Sequence, residues 1–123
     1  MENMIKVLSV QPLAEPEVVE IGSDLAGLQA AVGGYIELVY PYEDMVAILC
    51  DEEGKLKNRP YNRALRDEDG HIYDVVAGPM YVVGMGDDGV TTLPDDLIAK
   101  YQKVFSRPEH IVQEDGKIIV MTI

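Results

Sequence analysis

Apolar residues occur in short runs along this chain, and turn residues separate the runs. Most of the runs are rich in β-branched residues, which is typical of strands. The pattern predicts strands at residues 4–10, 17–21, 35–40, 45–50, 71–85 and 117–123. Gly78 and Pro79 interrupt the run at 71–85, so it is either one strand with a bulge or two strands.

Two segments have the apolar spacing of a helix. In residues 24–32 the apolar positions form one stripe, Ser23 is the predicted N-cap residue, and Gly33-Gly34 ends the helix. The segment Thr92–Phe105 begins with a Thr-x-x-Asp string that approximates a capping box. Together the elements predict an α+β fold, in which a mixed, mostly antiparallel sheet of five to seven strands has two helices packed on it.

Acidic residues cluster in three places, each directly before a glycine. These are Asp51-Glu52-Glu53-Gly54, Glu68-Asp69-Gly70 and Glu114-Asp115-Gly116. An acid followed by a glycine that can adopt positive φ is typical of hairpin loops. A calcium loop needs ligands at alternating positions over about twelve residues, and none of the three has that pattern. We therefore predict turns here, with no metal and no cofactor.

The length of 123 residues favours a single domain spanning residues 1–123. A chain of this size buries roughly two-thirds of its unfolded surface, so it can form a core without disulfides. Its one cysteine, Cys50, ends an apolar run and is predicted to be a buried hydrophobic residue. The N-terminus lacks a secretory pattern, and no apolar run approaches roughly 18 residues. We expect a cytoplasmic protein that does not contact membranes.

Charge is distributed unevenly along the chain. There are 22 acids and 10 Lys or Arg residues, a net charge of −12, which disfavours direct binding to duplex nucleic acid. Half of the cations lie in residues 55–66 without any acid among them: Lys55, Lys57, Arg59, Arg63 and Arg66. Such a segment is either neutralised by acids of its own fold or available to an anion from outside. The sequence leaves both open.

The basic segment supplies the candidate ligand-binding residues. These are Asn58, Arg59, Tyr61, Asn62, Arg63 and Arg66. Guanidinium groups bind phosphate or carboxylate, asparagine offers a donor and an acceptor, and tyrosine stacks on flat groups. Pro60 stiffens the segment, which lowers the entropy lost on binding. The predicted partner is an anionic small molecule or an acidic patch of a host protein.

No pattern in the chain predicts catalysis. His71 and His110 lack companions at metal-ligand spacing, and no nucleophile-elbow pattern surrounds a serine. Residues 84–89 match G-x-G-x-x-G, but two aspartates would lie where a pyrophosphate binds, and the next helix begins several residues later. We predict a protein that is not an enzyme, with a small hydrolase or transferase as an alternative.

Several strings together resemble the domain of unknown function 3846 family. They are Gly33-Gly34-Tyr35-Ile36-Glu37, Cys50 to Leu56, Pro60-Tyr61-Asn62-Arg63, Gly78 and Gly84. The likeness covers about residues 4–105 and leaves 107–123 as a C-terminal strand or hairpin extension. The resemblance implies a protein of phages, plasmids or other mobile elements, sometimes joined to antirestriction-type domains. It carries over no catalytic residue, and it places the Pro-x-Asn-Arg string among the family's recurring positions.

The expected function is non-enzymatic binding of an anionic ligand or acidic partner by a mobile-element protein, with a counter-defence role. The alternative is an acidic decoy that mimics DNA and inhibits a host DNA-binding enzyme. The acids around Asp87-Asp88 and Asp95-Asp96 would then carry the binding. The last strand pairs either within the chain or across a homodimer, and the sequence leaves this open.

Overall fold

The computed structural model describes residues 3–123. The strands are β1 (Met4–Val10), β2 (Glu17–Gly22), β3 (Ile36–Val39), β4 (Val46–Asp51), β5 (Tyr61–Arg66), β6 (Ile72–Ala77), β7 (Met80–Gly86), β8 (Gly89–Thr91), β9 (Glu109–Glu114) and β10 (Lys117–Thr122). The helices are α1 (Leu25–Val32) and α2 (Asp95–Val104). None of the helices in this part of the chain is long and apolar enough to cross a membrane.

The central sheet has six strands, five of which follow the order β2-β1-β7-β4-β3. The short strand β8 pairs with β7 beyond the point where the β1–β7 pairing ends. All of these pairs are antiparallel. The predicted α+β fold, with a mostly antiparallel sheet of five to seven strands and two helices, is therefore confirmed.

The two helices pack on opposite faces of the central sheet. Leu28 and Val32 of α1 join one apolar cluster, and Ile98 and Tyr101 of α2 join the other. Every residue of β4 is buried, because this strand is covered on both faces. Each fully buried aliphatic side chain contributes about 1.5–3 kcal/mol to folding, so the short helix α1 depends on the sheet for its stability.

Two further hairpins cover the face that carries α2. The β5–β6 hairpin contributes Leu65 and Val76 to the cluster under α2. The β9–β10 hairpin packs outside it, where Ile111 contacts Ala64 and Val75. The proline and asparagines of the basic segment suggest a loop, but only its first half is one. Its second half is strand β5, because its alternate residues bury against the sheet and the β9–β10 hairpin.

The predicted break at Gly78-Pro79 separates two strands that belong to different sheets. Gly78 has a φ of 93°, which a residue with a side chain rarely adopts. The chain turns there from β6, which pairs with β5, into β7 at the centre of the main sheet. The interpretation of residues 71–85 as two strands is confirmed.

The helix starts differ from the sequence prediction, whereas the stop of α1 is confirmed. Asp24, not Ser23, caps α1, since its carboxylate accepts a hydrogen bond of 2.7 Å from the Gly27 N–H. The end lies at Gly33, with a φ of 75°. Thr92 caps nothing, because its hydroxyl accepts the backbone N–H of Lys6 at 3.2 Å, and Pro94 precedes α2 without a side-chain cap.

The three acidic turns do not share one geometry. Gly70 and Gly116 have φ values of 82° and 76°, as predicted for hairpin loops. Gly54 does not adopt positive φ; a Cβ at this position would collide with the Ala77 carbonyl oxygen. The glycine at position 54 is therefore required by the close approach of two backbones and not by turn conformation.

Candidate functional site

The six candidate residues of the basic segment do not share one cavity. Asn58 and Tyr61 line an open groove of about 680 Å³ beside Tyr73. The remaining four side chains are held elsewhere, in an ion-pair cluster, in the interior and in a cleft: Arg59, Asn62, Arg63 and Arg66. The side chains of the segment therefore lie in four separate environments.

Arg59 belongs to a cluster around the buried carboxylate of Asp51. Its Nε lies 2.9 Å from Asp51 Oδ2, and Lys57 Nζ lies 3.0 Å from the same oxygen. The other oxygen accepts the Glu53 N–H at 2.9 Å. Arg59 Nη2 also donates to the Gly33 carbonyl at 2.9 Å, at the end of α1 where a cation is favoured. The Arg59 guanidinium group is thus already paired within the fold.

Glycines leave the space that this cluster occupies. A Cβ on Gly33 would lie 2.7 Å from Arg59 Nη2, and one on Gly78 would lie 2.7 Å from Arg59 Cδ. A Cβ on Gly34 would lie 2.9 Å from Asp51 Oδ1. Gly33, Gly34 and Gly78, three glycines of the strings that carry the family resemblance, therefore surround one ion-pair cluster, and we attribute these positions to folding.

Asn62 lies in the interior, fully buried. Its Nδ2 donates to the carbonyls of Val10 at 2.7 Å and Gly78 at 2.9 Å. These bonds join the end of β1, the strand β5 and the bend between β6 and β7. Both side-chain donors of Asn62 are therefore used inside the protein, and we attribute this residue to folding.

Arg63 is 1% exposed, although it carries a charge. Its Nη2 donates to the carbonyls of Ala14 at 2.6 Å and Phe105 at 3.0 Å. Its Nη1 donates to Asn62 Oδ1 at 3.1 Å and reaches the Gln11 carbonyl at 3.4 Å. Burial lowers the pKa of Arg63, and the charge of Glu109 acts in the opposite direction. Backbone carbonyls and the Asn62 side chain thus already accept hydrogen bonds from both terminal nitrogens of Arg63.

One donor of Arg63 has no partner. Among the described residues, its Nε is the only buried side-chain nitrogen or oxygen without a hydrogen bond. Arg63 also lines a cleft of about 520 Å³ between β5, the end of α2 and the β9–β10 hairpin. Arg66, Lys103 and Arg107 line the same cleft. This cleft is the candidate site.

The cleft is less acidic than the rest of the protein. Four cations line it against three acids, Asp67, Glu68 and Glu109, whereas the whole chain has more than two acids for each cation. Glu109 is already bound, since one oxygen accepts the Ala64 N–H at 3.0 Å and the other lies 2.8 Å from Arg66 Nη2. A hydrogen bond to Glu43 and the charge of that neighbour raise the pKa of Glu68. The electrostatics of the cleft suit an anion.

Sequence reasoning found two of the cations in this cleft and missed two. Arg63 and Arg66 belong to the basic segment, but Lys103 and Arg107 lie about forty residues later, at and after the end of α2. They reach the cleft because α2 packs over β5. No local pattern in the sequence marks them, since a lysine in the last turn of a helix is common at any helix end.

Cys50 is expected to be unreactive in the folded protein. Its Sγ is buried and lies 3.9 Å from the Glu37 carboxylate. Burial, followed by the charge of Glu37, raises the pKa of the thiol to about 12. Because the thiolate is the nucleophile, native protein should react with a disulfide reagent at least about 100-fold more slowly than unfolded protein. Stopped-flow absorbance in buffer and in denaturant measures both rates; equal rates would contradict a buried thiol.

The turn before β6 brings Asp67, Asp69 and His71 close enough to share one ion. All three are exposed, and Asp67 Oδ1 accepts the backbone N–H groups of Asp69 at 3.0 Å and His71 at 2.9 Å. Side-chain bonds of this kind are the ordinary chemistry of an acidic turn. We therefore interpret the cluster as turn stabilisation.

Comparison with known families supports the resemblance that the sequence strings carry. The family model described as Domain of unknown function (DUF3846) matches residues 5–106. The match includes Arg63, Arg66 and Lys103 of the cleft, and it ends before Arg107 and the β9–β10 hairpin. No curated protein and no solved structure matches the chain. The protein belongs to the domain of unknown function 3846 family.

Proposed function

We propose that this protein binds a small anionic ligand in the cleft formed by β5, the end of α2 and the β9–β10 hairpin. The observation that carries the proposal is the unpartnered Nε–H of Arg63, on a buried residue that lines the cleft. An unmet buried donor costs about 1–3 kcal/mol. Nε has no solvent-accessible surface in this structure, so a ligand reaches it only when the side chains over it move apart. A phosphate or carboxylate oxygen that does so would remove that cost and gain a charge-assisted hydrogen bond.

Three further cations would hold the remaining charge of the ligand. Arg66, Lys103 and Arg107 are exposed residues at the cleft. Lysine and arginine side chains at a rim attract anions and fix them without deep burial of charge. Glu68 opposes an anion while it is ionised, and its raised pKa means that it becomes neutral earlier on acidification than an ordinary glutamate. Protonation of Glu68 on acidification should therefore strengthen binding.

The size and walls of the cleft suit a ligand of nucleotide dimensions. Its volume of about 520 Å³ lies within the usual range for small-molecule sites, roughly 300–1,000 Å³. Tyr42 and Phe105 line it and supply aromatic surface next to the cations. A flat group with an attached phosphate would match this combination of surfaces.

Binding fits the cleft better than catalysis does. Its lining includes no cysteine and no histidine. The one serine, Ser106, donates its hydroxyl to the Lys103 carbonyl at 3.0 Å, so no base activates it. In the cytoplasmic, mobile-element setting that we propose for this chain, sequestering a nucleotide used in host defence is one concrete role.

We expect the proposed ligand to change the Nε–H signal of Arg63 in proton–nitrogen correlation spectra. Inorganic phosphate and adenosine monophosphate are the probes, titrated at constant ionic strength with chloride as reference. The signal should shift in a saturable way, because Nε is the donor left unbound by the fold. The double variant Lys103→Gln/Arg107→Gln should raise the dissociation constant of either probe by about tenfold, which is a loss of roughly 1.4 kcal/mol of binding free energy.

The matched control is Lys55→Gln/Lys117→Gln, which changes the net charge equally but removes no cation from the cleft. It should bind the probes as the unmodified protein does. Equal weakening in both variants would indicate diffuse electrostatics and would overturn the proposal. A chemical shift that does not move with either probe would mean that Nε is satisfied by water alone, which also overturns it.

A decoy function is the second candidate, and the exposed acids favour it. Asp87 and Asp88 are both exposed in the turn between β7 and β8, and Asp96 is exposed at the start of α2. Inhibition of a DNA-cleaving enzyme by this protein would support the decoy, provided that Asp87→Asn/Asp88→Asn abolishes it and Lys103→Gln/Arg107→Gln does not. The opposite dependence would favour the cleft.

A further inference from the structure

The β9–β10 hairpin has an outer edge that no strand in residues 3–123 covers, since β10 pairs with β9 alone. Its two-residue turn has positive φ at both Asp115 (51°) and Gly116 (76°), as a type I′ hairpin requires. Hydrogen-bonded pairs then alternate along the hairpin from the turn onward. The backbone N–H and C=O groups of Ile118, Val120 and Thr122 consequently point away from β9, toward the open edge.

This edge carries no acidic residue, whereas several other edge strands do. The outer strand β2 carries Glu17 and Glu20, β3 carries Glu37, and β6 carries Asp74. Charged side chains on edge strands oppose pairing with another chain. In β10 the one charged residue is Lys117. For a protein of net charge −12, β10 is therefore a six-residue edge on which no acid opposes a second copy.

The side chains along β10 are apolar on both faces. Ile119 is 39% exposed and Met121 48% exposed, on the face that points away from the rest of the protein. Val120 lies on the inner face, where it packs against the small cluster that contains Ile111. Pairing with a second apolar strand would therefore be more favourable for these side chains than exposure to water.

We propose that two copies of this chain pair through β10 in antiparallel orientation, about a twofold axis at Val120. In that register Val120 faces its own equivalent, Ile119 lies opposite Met121 of the second copy, and Ile118 lies opposite Thr122 of the second copy. The outward N–H and C=O groups all find partners, and the two hairpins become one four-stranded sheet. The contact is self-complementary and closed, as a twofold interface must be.

The pairing also affects the cleft, although the inference does not depend on the proposed ligand. Thr122 lines the cleft on the side of β10. The proposed register places Ile118 of the second copy beside Thr122, at the rim of the cleft. Each copy would therefore extend a wall of the other copy's cleft.

The test is the oligomeric state, measured by sedimentation equilibrium over a range of concentrations. The unmodified protein is expected to be a dimer whose dissociation constant falls with added salt, because screening weakens repulsion between the two acidic chains. The double variant Ile119→Lys/Met121→Lys places like charges directly opposite each other across the axis and should raise that constant at least about 100-fold. Both side chains are solvent-exposed, so the monomer should still fold.

The control is Met4→Lys/Val18→Lys, which adds the same charge at exposed apolar positions of β1 and β2. It should dimerise like the unmodified protein. Hydrogen exchange gives a second readout that needs no variant: the amides of Ile118, Val120 and Thr122 should be protected only at dimer concentrations. A monomer at every concentration, loss of dimer in both variants, or rapid exchange of these three amides in a dimer would each overturn the proposal.

Discussion

Replacing Arg63 by methionine is expected to lower the free energy of unfolding by about 4 kcal/mol. Methionine has a similar length but no donors, so the carbonyls of Gln11, Ala14 and Phe105 and the Asn62 side chain lose their partner. Each buried acceptor left unsatisfied costs about 1–3 kcal/mol. Urea unfolding at neutral pH measures the effect, and the midpoint of thermal unfolding should fall by about 12–20 °C.

Arg107→Met is the control for the loss of a guanidinium group, because Arg107 is exposed and has one weak contact, 3.4 Å to the Ile123 carbonyl. Its stability should change by less than about 0.5 kcal/mol. Arg63→Lys should restore little, since a single ammonium group cannot reach the acceptors that Nη1 and Nη2 bind separately. A change in Arg63→Met as small as that in Arg107→Met would show that the interior network does not stabilise the fold.

This expected effect limits how the cleft can be tested. Arg63 both holds three distant segments together and carries the buried, unpartnered Nε at the cleft wall. Loss of ligand binding in an Arg63 variant would therefore carry no information about the ligand. The rim residues Lys103 and Arg107 are exposed, so their variants separate binding from folding.

The sequence predicted the elements well because their signals are local. The apolar runs of β1, β4 and β10, the stripe of α1 and the stop at Gly33 each depend on neighbours within a few residues. The start of α2 was predicted wrongly for the opposite reason. Thr92 accepts a hydrogen bond from Lys6, and the local sequence around Thr92 does not indicate that Lys6 lies nearby.

The role of the basic segment could not be predicted from charge alone. Five cations without an acid among them favour binding of an external anion as much as pairing with acids of the same fold. The structure supplies partners from outside the segment: Asp51 for Arg59, Glu109 for Arg66, and the carbonyls of residues 11, 14 and 105 for Arg63. Most side chains of the segment are thus held by acids and carbonyls of the fold itself. What remains at the cleft is one donor of Arg63 together with Arg66.

The substitution Asp51→Asn is expected to cost about 2–3 kcal/mol of stability at pH 7. Asp51 has a fully buried side chain in contact with Lys57 and Arg59, and the Glu53 N–H donates to it. The amide keeps the shape of the carboxylate but removes its charge and turns a donor toward one of the cations. Asp74→Asn is the control, since its ion pair with Lys55 is partly exposed and should contribute little.

The effect of Asp51→Asn should depend on pH in a defined direction. Burial by itself raises the pKa of Asp51, but the Glu53 N–H and the charges of Lys57 and Arg59 outweigh it and hold the pKa below the usual value. Because the pKa is lower in the folded state, ionised Asp51 stabilises the protein above its unfolded pKa, about 3.9. That contribution disappears as the pH falls through the folded value. Unfolding of the unmodified protein and Asp51→Asn, compared from pH 7 downward, should therefore converge only in strong acid, whereas a difference that stays constant with pH would contradict a charge-dependent role for Asp51.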